Sequence, residues 1–282
     1  MRGEVNGLCN LLHIVSNIVG DCRLMAGTSS LERALVLLKL IEQTPGGLTN
    51  AEISRRLDIP KTTCSYIARR LEHEGYLIKD AASGRYKIGL AVVALAHGAL
   101  REVGIRTVAE PALFKLTTRT GLSGGIGVLE RGHVLLVDRV EGPRFVDRRL
   151  RAQRDIGRKL PVHSTALGKV LLAYLPRQQV LDLIGGKELA RSTAKTVTSK
   201  TRLLAELDQV RQQGYAIADG EAYSDLRSLS VPILGSDGSV QAALSVNGSP
   251  KDRAWLDLPE LVKIVQEAAR DISRRAWILR PA

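Results

Sequence analysis

Cysteine is scarce in this 282-residue chain, and the three present, Cys9, Cys22 and Cys64, form neither an even set nor a CxxC pair. Disulfide frameworks and thiolate zinc sites therefore find no support, and a reducing compartment, the cytoplasm, is the expectation. Long apolar runs are missing too. Gly7 to Gly20 is interrupted by Asn10, His13, Ser16 and Asn17, so it is too short and too polar to cross a bilayer. It does not read as a secretory leader, since Arg2 is offset by Glu4 and no small-residue cleavage site follows. Catalytic signatures are absent as well. Ser164-Thr165-Ala166-Leu167-Gly168 lacks the flanking glycines of a hydrolase elbow, Gly168-Lys169 lacks the earlier glycine of a phosphate-binding loop, and no HExxH occurs. No cofactor or metal is expected, and there is no internal repeat. Acidic residues are in deficit, 29 against 41 basic ones, and the resulting charge of +12 favours polyanionic partners such as nucleic acid or anionic small molecules.

What is present fits two domains of ordinary globular composition, with 44% hydrophobic and 25% charged residues. Residues 1–28 precede the first clear helical pattern and leave two readings open, an N-terminal arm or a start codon placed too early. From Ser29 or Ser30 as cap, Leu31, Ala34, Leu35, Leu38 and Leu40 or Ile41 recur at helical spacing, which predicts an inward stripe. Thr49 and Glu52 form a capping box that opens a second helix ending at Leu57. Pro60 suits the start of a third, in which Ile67, Ala68 and Leu71 face inward. Two strand-like runs, Tyr76 to Asp80 and Arg85 to Ile88, flank the turn-like Ala82-Ser83-Gly84 and predict a hairpin.

Three helices followed by a hairpin is the winged helix-turn-helix plan, whose second motif helix enters the major groove. The candidate DNA contacts are Thr49 at the motif's first helix, Lys61, Thr62, Thr63, Ser65, Tyr66, Arg69 and Arg70 on the reading helix, and Lys79, Arg85 and Lys87 on the wing. Residues 29–105 carry eleven Lys or Arg against eight Asp or Glu, so the region is only mildly basic. The domain limits expected are 29–88 for the winged helix, 89–105 for a linking helix, and 106–278 for a second, α+β domain. In that second domain the pattern predicts helices at Pro111–Thr120, Ala166–Tyr174, Arg177–Ile184, Ser199–Gln213 and Glu260–Trp277. Strands are expected at Ser123–Glu130, His133–Val140, Ser228–Leu234 and Val240–Asn247.

Several blocks together resemble the IclR family of transcription regulators. They are Ser30-Leu31-Glu32-Arg33-Ala34-Leu35, Pro60-Lys61-Thr62-Thr63, Leu71-Glu72-His73-Glu74-Gly75-Tyr76, Gly84-Arg85-Tyr86-Lys87-Ile88-Gly89, the run from Gly157 to Lys169, Leu226-Arg227-Ser228, and Ala243 to Gly248. The resemblance implies a GAF-like α/β effector-binding domain after the winged helix. It also implies a homodimer or dimer of dimers on double-stranded operator DNA with inverted half-sites. By position, it suggests an effector pocket of Arg149, Ala152, Ala166, Leu167, Ala218, Ser228, Ser245 and Asn247. Two departures stand out: Asp225-Leu226-Arg227-Ser228 replaces a common Gly-Leu-Arg-Cys, and Ala218 stands where many relatives carry an acid.

Seven cations between Arg144 and Lys159 face only Asp147 and Asp155. Arginine pairs bidentately with carboxylates, so an organic acid, aromatic ones included, is the favoured effector, with Arg149 the first candidate. His163 is read as a buried histidine satisfied by backbone rather than as a pocket donor. Two other readings stay open: an enzyme docked through its winged helix, and a DNA-binding protein without a ligand.

Overall fold

The computed structural model describes residues 29–103, 105–143, 156–186 and 188–278, and the chain divides between Ala99 and Leu100 into two compact units. In the N-terminal unit, helix α1 (Ser30–Glu42) starts at Ser29, whose side chain and Glu32 form a reciprocal capping box. Helix α2 (Asn50–Leu57) repeats the device with Thr49 and Glu52, and α3 (Lys61–His73) follows Pro60. Strands β1 (Leu77–Lys79) and β2 (Tyr86–Ile88) make the hairpin, and Leu48 bridges to Tyr86 as a third short rung. One core holds these pieces, built from Leu37, Leu40, Ile41, Ile53, Cys64, Ile67, Ala68, Leu77 and Tyr86.

The expected stripe on α1 is corrected. Leu31 and Leu35 are 70% and 50% exposed, whereas Leu37 is fully buried beside Leu40 and Ile41. The run from Ala34 to Ile41 is apolar on nearly every face, so spacing alone could not fix the helix's rotation; packing on α2, α3 and β2 did. Helix α4 (Ala91–Val103) occupies the expected linking segment.

In the C-terminal unit, α5 (Ile105–Thr120) is longer than the pattern suggested, with Pro111 inside it rather than at its start. Proline removes one amide donor but here does not end the helix. Six strands form one antiparallel sheet: β3 (Ser123–Glu130), β4 (His133–Val140), β5 (Lys159–Pro161), β6 (Ala216–Asp219), β7 (Arg227–Leu234) and β8 (Val240–Gly248), in the order β5-β4-β3-β8-β7-β6. The sequence reading missed β5 and β6, which are three and four residues long and too short to show alternation. The remaining helices are α6 (Ala166–Ala173), α7 (Arg177–Ile184), α8 (Lys200–Gln213) and α9 (Leu258–Ile278).

The sheet's two faces differ. One carries Ile126, Leu229, Val231, Leu244 and Val246 and packs on α5 and α9 through Leu113, Leu116, Val265 and Ile272. On the other, which lies under α6, Ala216, Ala218 and Ala243 join a core that includes Leu167, Val170 and Leu171. Its strands β3, β7 and β8 present small or polar residues there.

Candidate DNA-reading and effector sites

Helix α3 is set against α2 by local polar contacts. The Asn50 amide donates to the Lys61 carbonyl at 3.2 Å, and the Ser54 hydroxyl to the Ile59 carbonyl at 2.7 Å. With Cys64, Ile67 and Ala68 inward, the helical period turns Lys61, Thr62, Tyr66, Arg69 and Arg70 outward, while Thr63 and Ser65 are half-buried on the flanks. Tyr66 is 60% exposed, an unusual cost for an aromatic ring on a free surface.

Two of the candidate contacts are already engaged. The Arg85 guanidinium donates to both Glu52 carboxylate oxygens, at 3.0 and 3.1 Å, and to the Gly47 carbonyl at 2.8 Å. The Thr49 hydroxyl donates to the same carboxylate at 2.9 Å. Hydrogen bonds from Thr49, then Arg85, hold the Glu52 pKa down to about 2. This cluster fastens the wing to α2, so Arg85 braces the frame. Lys79 lies over the Tyr86 ring, 5.5 Å from its centre, and Lys87 approaches Asp80 at 3.7 Å; both remain exposed. Sequence reasoning did not single out Asn50, Ser54 or Glu52's second partner, because those contacts span eleven, five and thirty-three residues.

In the C-terminal unit, strand register gathers three of the effector candidates. Ala218 pairs with Ser228, Ser228 with Asn247, and Asn247 with Ser123, one row across β6, β7, β8 and β3. The next row holds Ser230, Ser245 and Gly125. Directly paired residues share a face, and a step of two keeps it, so both rows lie on the side that carries Ala218. Helix α6 covers that side. Thr165 caps it by accepting from the Gly168 amide at 3.2 Å, and Leu167 packs close to Gly127. A methyl at Gly168 would collide with the Val162 carbonyl, which is how the helix start sits so near the β5 end. Ala166, Leu167, Ala218, Ser228, Ser245 and Asn247 are all buried. Arg149 and Ala152 lie outside the described residues.

A buried charge cluster anchors α6 from behind. The Lys169 ammonium, 3% exposed as a residue, lies 2.5 Å from a Glu221 carboxylate oxygen and 2.9 Å from one of Glu206 on α8. Burial pushes the Glu221 pKa above its ordinary value, with Lys169 opposing. His163 is buried, and its Nε2 lies 3.0 Å from the Ala190 carbonyl, the backbone partner expected; this places the proton on Nε2. Burial lowers its pKa, so the ring is neutral near pH 7. A cavity of about 790 Å³ opens between α8, β6 and the 191–199 loop, lined by Lys169, Arg202, Glu206, Asp219 and Glu221 among others. None of the six described effector candidates lines it. Among the described residues no His, Cys, Asp or Glu cluster could hold a metal, and no helix is long and apolar enough to cross a membrane.

Comparison with known proteins resolves the family. The bacterial transcriptional regulator IclR C-terminal model matches residues 97–274, and the IclR helix-turn-helix model matches residues 30–81. The chain belongs to the IclR family. It is a DNA-binding transcription regulator with a C-terminal effector-binding domain, and its relatives are regulators rather than enzymes. It is 31% identical to the Escherichia coli regulator XynR over 245 residues, 87% of this chain and 96% of the relative. It is 32% identical to E. coli KdgR over 238 residues, 84% and 88% of the two chains. Among solved structures, an IclR homologue of Microbacterium hydrocarbonoxydans complexed with 4-hydroxybenzoate superposes with a TM-score of 0.77. That match has 27% identity and covers 89% of this chain and all of the other. The IclR structure from Thermotoga maritima gives 0.71 at 26% identity, covering 88% and 98%.

Proposed function

We propose that this IclR-family regulator binds an operator with inverted half-sites as a homodimer or dimer of dimers in the cytoplasm, and that an organic acid alters that binding. The observation that carries the DNA half is the outward strip of α3. There Lys61, Thr62, Ser65 and Tyr66 would face base edges, and Thr63, Arg69 and Arg70 the flanking backbone. Lys79 and Lys87 add phosphate contacts from the wing, while Thr49 and Arg85 hold the frame that aims them. Self-association is supported by apolar side chains left open in the N-terminal unit: Leu31 and Leu35 on α1, and Val93 and Leu95 on α4.

For the effector, Ala166 and Leu167 at the start of α6 would offer backbone amides to a carboxylate, and Arg149 a guanidinium. Ala218, Ser228, Ser245 and Asn247 would form the floor, and Ala152 belongs to the same proposed lining. The carboxylate preference is supported by the arginine-rich sequence from Arg144 to Arg158 and by Ala218, which leaves no acid on the floor to repel an anion. Effector and DNA then influence each other through unequal affinities for two states of the dimer, with α4 as the connection. The test is binding of the full chain to DNA upstream of its own gene, across salt concentrations, with and without a panel of aromatic and aliphatic acids. Sequence-specific, salt-sensitive binding that one acid shifts is the expected result. Specific binding indifferent to every acid would sink the effector reading and leave a ligand-independent DNA binder.

A further inference from the structure

We infer that the cavity between α8, β6 and the 191–199 loop is a second ligand site, built for a small zwitterion. The ligand class is an ω-amino acid, with its ammonium in the depth of the cavity and its carboxylate at the mouth. None of the six described effector candidates lines this cavity, so the site stands apart from the effector reading. Its inner wall carries more acid than base. There Lys169 is buried and shared between Glu221 and Glu206, and Glu206 in turn disfavours the ionised Glu221. Two carboxylate oxygens of the lining, Glu221 Oε2 and Asp219 Oδ1, are buried and make no hydrogen bond with any described residue. Glu221 is 8% exposed, and Oε1 is the oxygen it spends on Lys169. The Val197 amide favours its charge without closing a hydrogen bond to Oε2. Asp219 has only loose cationic neighbours, Lys195 at 3.6 Å and Arg227 at 3.9 Å.

Buried acceptors, charged ones above all, are rarely left open in native structures, so two of them lining one cavity call for a donor. A metal ion is not that donor: among the described residues no His, Cys, Asp or Glu cluster could hold one. An ammonium group brings three N–H donors and a positive charge, which answers both the open oxygens and the excess of acid. The mouth of the cavity has the opposite sign. Arg191, Lys195 and Arg202 are exposed there, around the Ser199 cap of α8, and the Arg191 guanidinium donates to the Thr198 hydroxyl at 3.3 Å. Cations beside a helix start, whose own amides favour negative charge, suit a carboxylate. Along α8, Glu206 stands one turn beyond Arg202, a rise of about 6 Å. That spacing fits the two ends of 4-aminobutyrate or 5-aminopentanoate, whereas an α-amino acid holds both charges on one carbon. A volume of about 790 Å³ is ample for such a molecule.

The test is isothermal calorimetry on the full-length protein with 4-aminobutyrate and 5-aminopentanoate, beside butylamine and pentylamine, which lack the acid, and butyrate and pentanoate, which lack the amine. Each is repeated on Asp219→Asn and Arg202→Ala, whose side chains are 42% and 72% exposed in the wild type, with circular dichroism to check folding. The expected result is that at least one zwitterion binds wild type roughly 10-fold or more tightly than the matching amine, the factor that one charge-assisted hydrogen bond supplies. Each variant weakens that zwitterion by about 10-fold. Butyrate and pentanoate, where they bind at the effector floor, bind both variants as they bind wild type. Zwitterion binding that survives both variants would put the ligand elsewhere and overturn the inference. So would an amine that binds as tightly as its zwitterion, or zwitterions that give no heat of binding at about 10 mM.

Discussion

Replacing Lys169 by methionine tests how the effector domain's core is held together. The ammonium sits between Glu221 and Glu206, and the helix around it, α6, is buried at all eight positions. Methionine keeps most of the volume and removes the charge, leaving Glu221, 8% exposed, without its cation. Breaking one side of a buried pair costs about 3–5 kcal/mol, because the remaining charge is desolvated without compensation. Glu206 offers Glu221 no relief, since its like charge disfavours the ionised Glu221, although its own side chain, 26% exposed, can turn to water. For a unit of this size 1 kcal/mol moves the melting temperature by roughly 2–4 °C, so Lys169→Met lowers it by about 10 °C. The double variant Lys169→Met, Glu221→Leu removes both charges and recovers most of that loss. Urea unfolding of the wild type, both single variants and the double variant gives the coupling energy directly. A coupling below about 1 kcal/mol would refute the argument, for then the pair would behave like an exposed one.

Three further outcomes follow from the geometry. Glu52 has its pKa held down to about 2 in the folded state, below the ordinary carboxylate value, so its contribution is present above that ordinary value and lost as pH falls through about 2. Glu52→Gln should flatten acid unfolding of the N-terminal unit between about pH 4.5 and 2, read by circular dichroism; an unchanged acid limb would contradict the Thr49–Glu52–Arg85 clamp. Arg69→Ala and Arg70→Ala should each weaken DNA binding on any sequence and lower the salt slope by about one, whereas a loss confined to one operator base would assign that arginine to base reading. Gly168→Ala should cost about 1–3 kcal/mol in urea unfolding or prevent folding, because the added methyl meets the Val162 carbonyl, and wild-type stability would show that α6 can shift freely.

The sequence by itself determined the elements whose signals are local. The Thr49–Glu52 capping box marks a helix start within four residues and appears as read, and of the two cap candidates for α1 the structure takes Ser29, with Glu32 completing a second box. Helix α7 and strands β3 and β4 have the limits expected, because each is bounded by turn residues such as Pro176 and Arg131-Gly132. The outward strip of α3 also followed from spacing once Ile67 and Ala68 were placed inside. Tertiary structure decided what depends on distant partners. The rotation of α1 was settled by packing, since an apolar run has no preferred face until neighbours choose one. Arg85 looked like a free wing cation until folding brought Glu52 within 3.0 Å of it across thirty-three residues. Lys169, unremarked in the helix pattern, found two carboxylates thirty-seven and fifty-two positions away. The Ala218–Ser228–Asn247 row exists only through strand register, which pairing across the sheet sets and no single strand's alternation reveals.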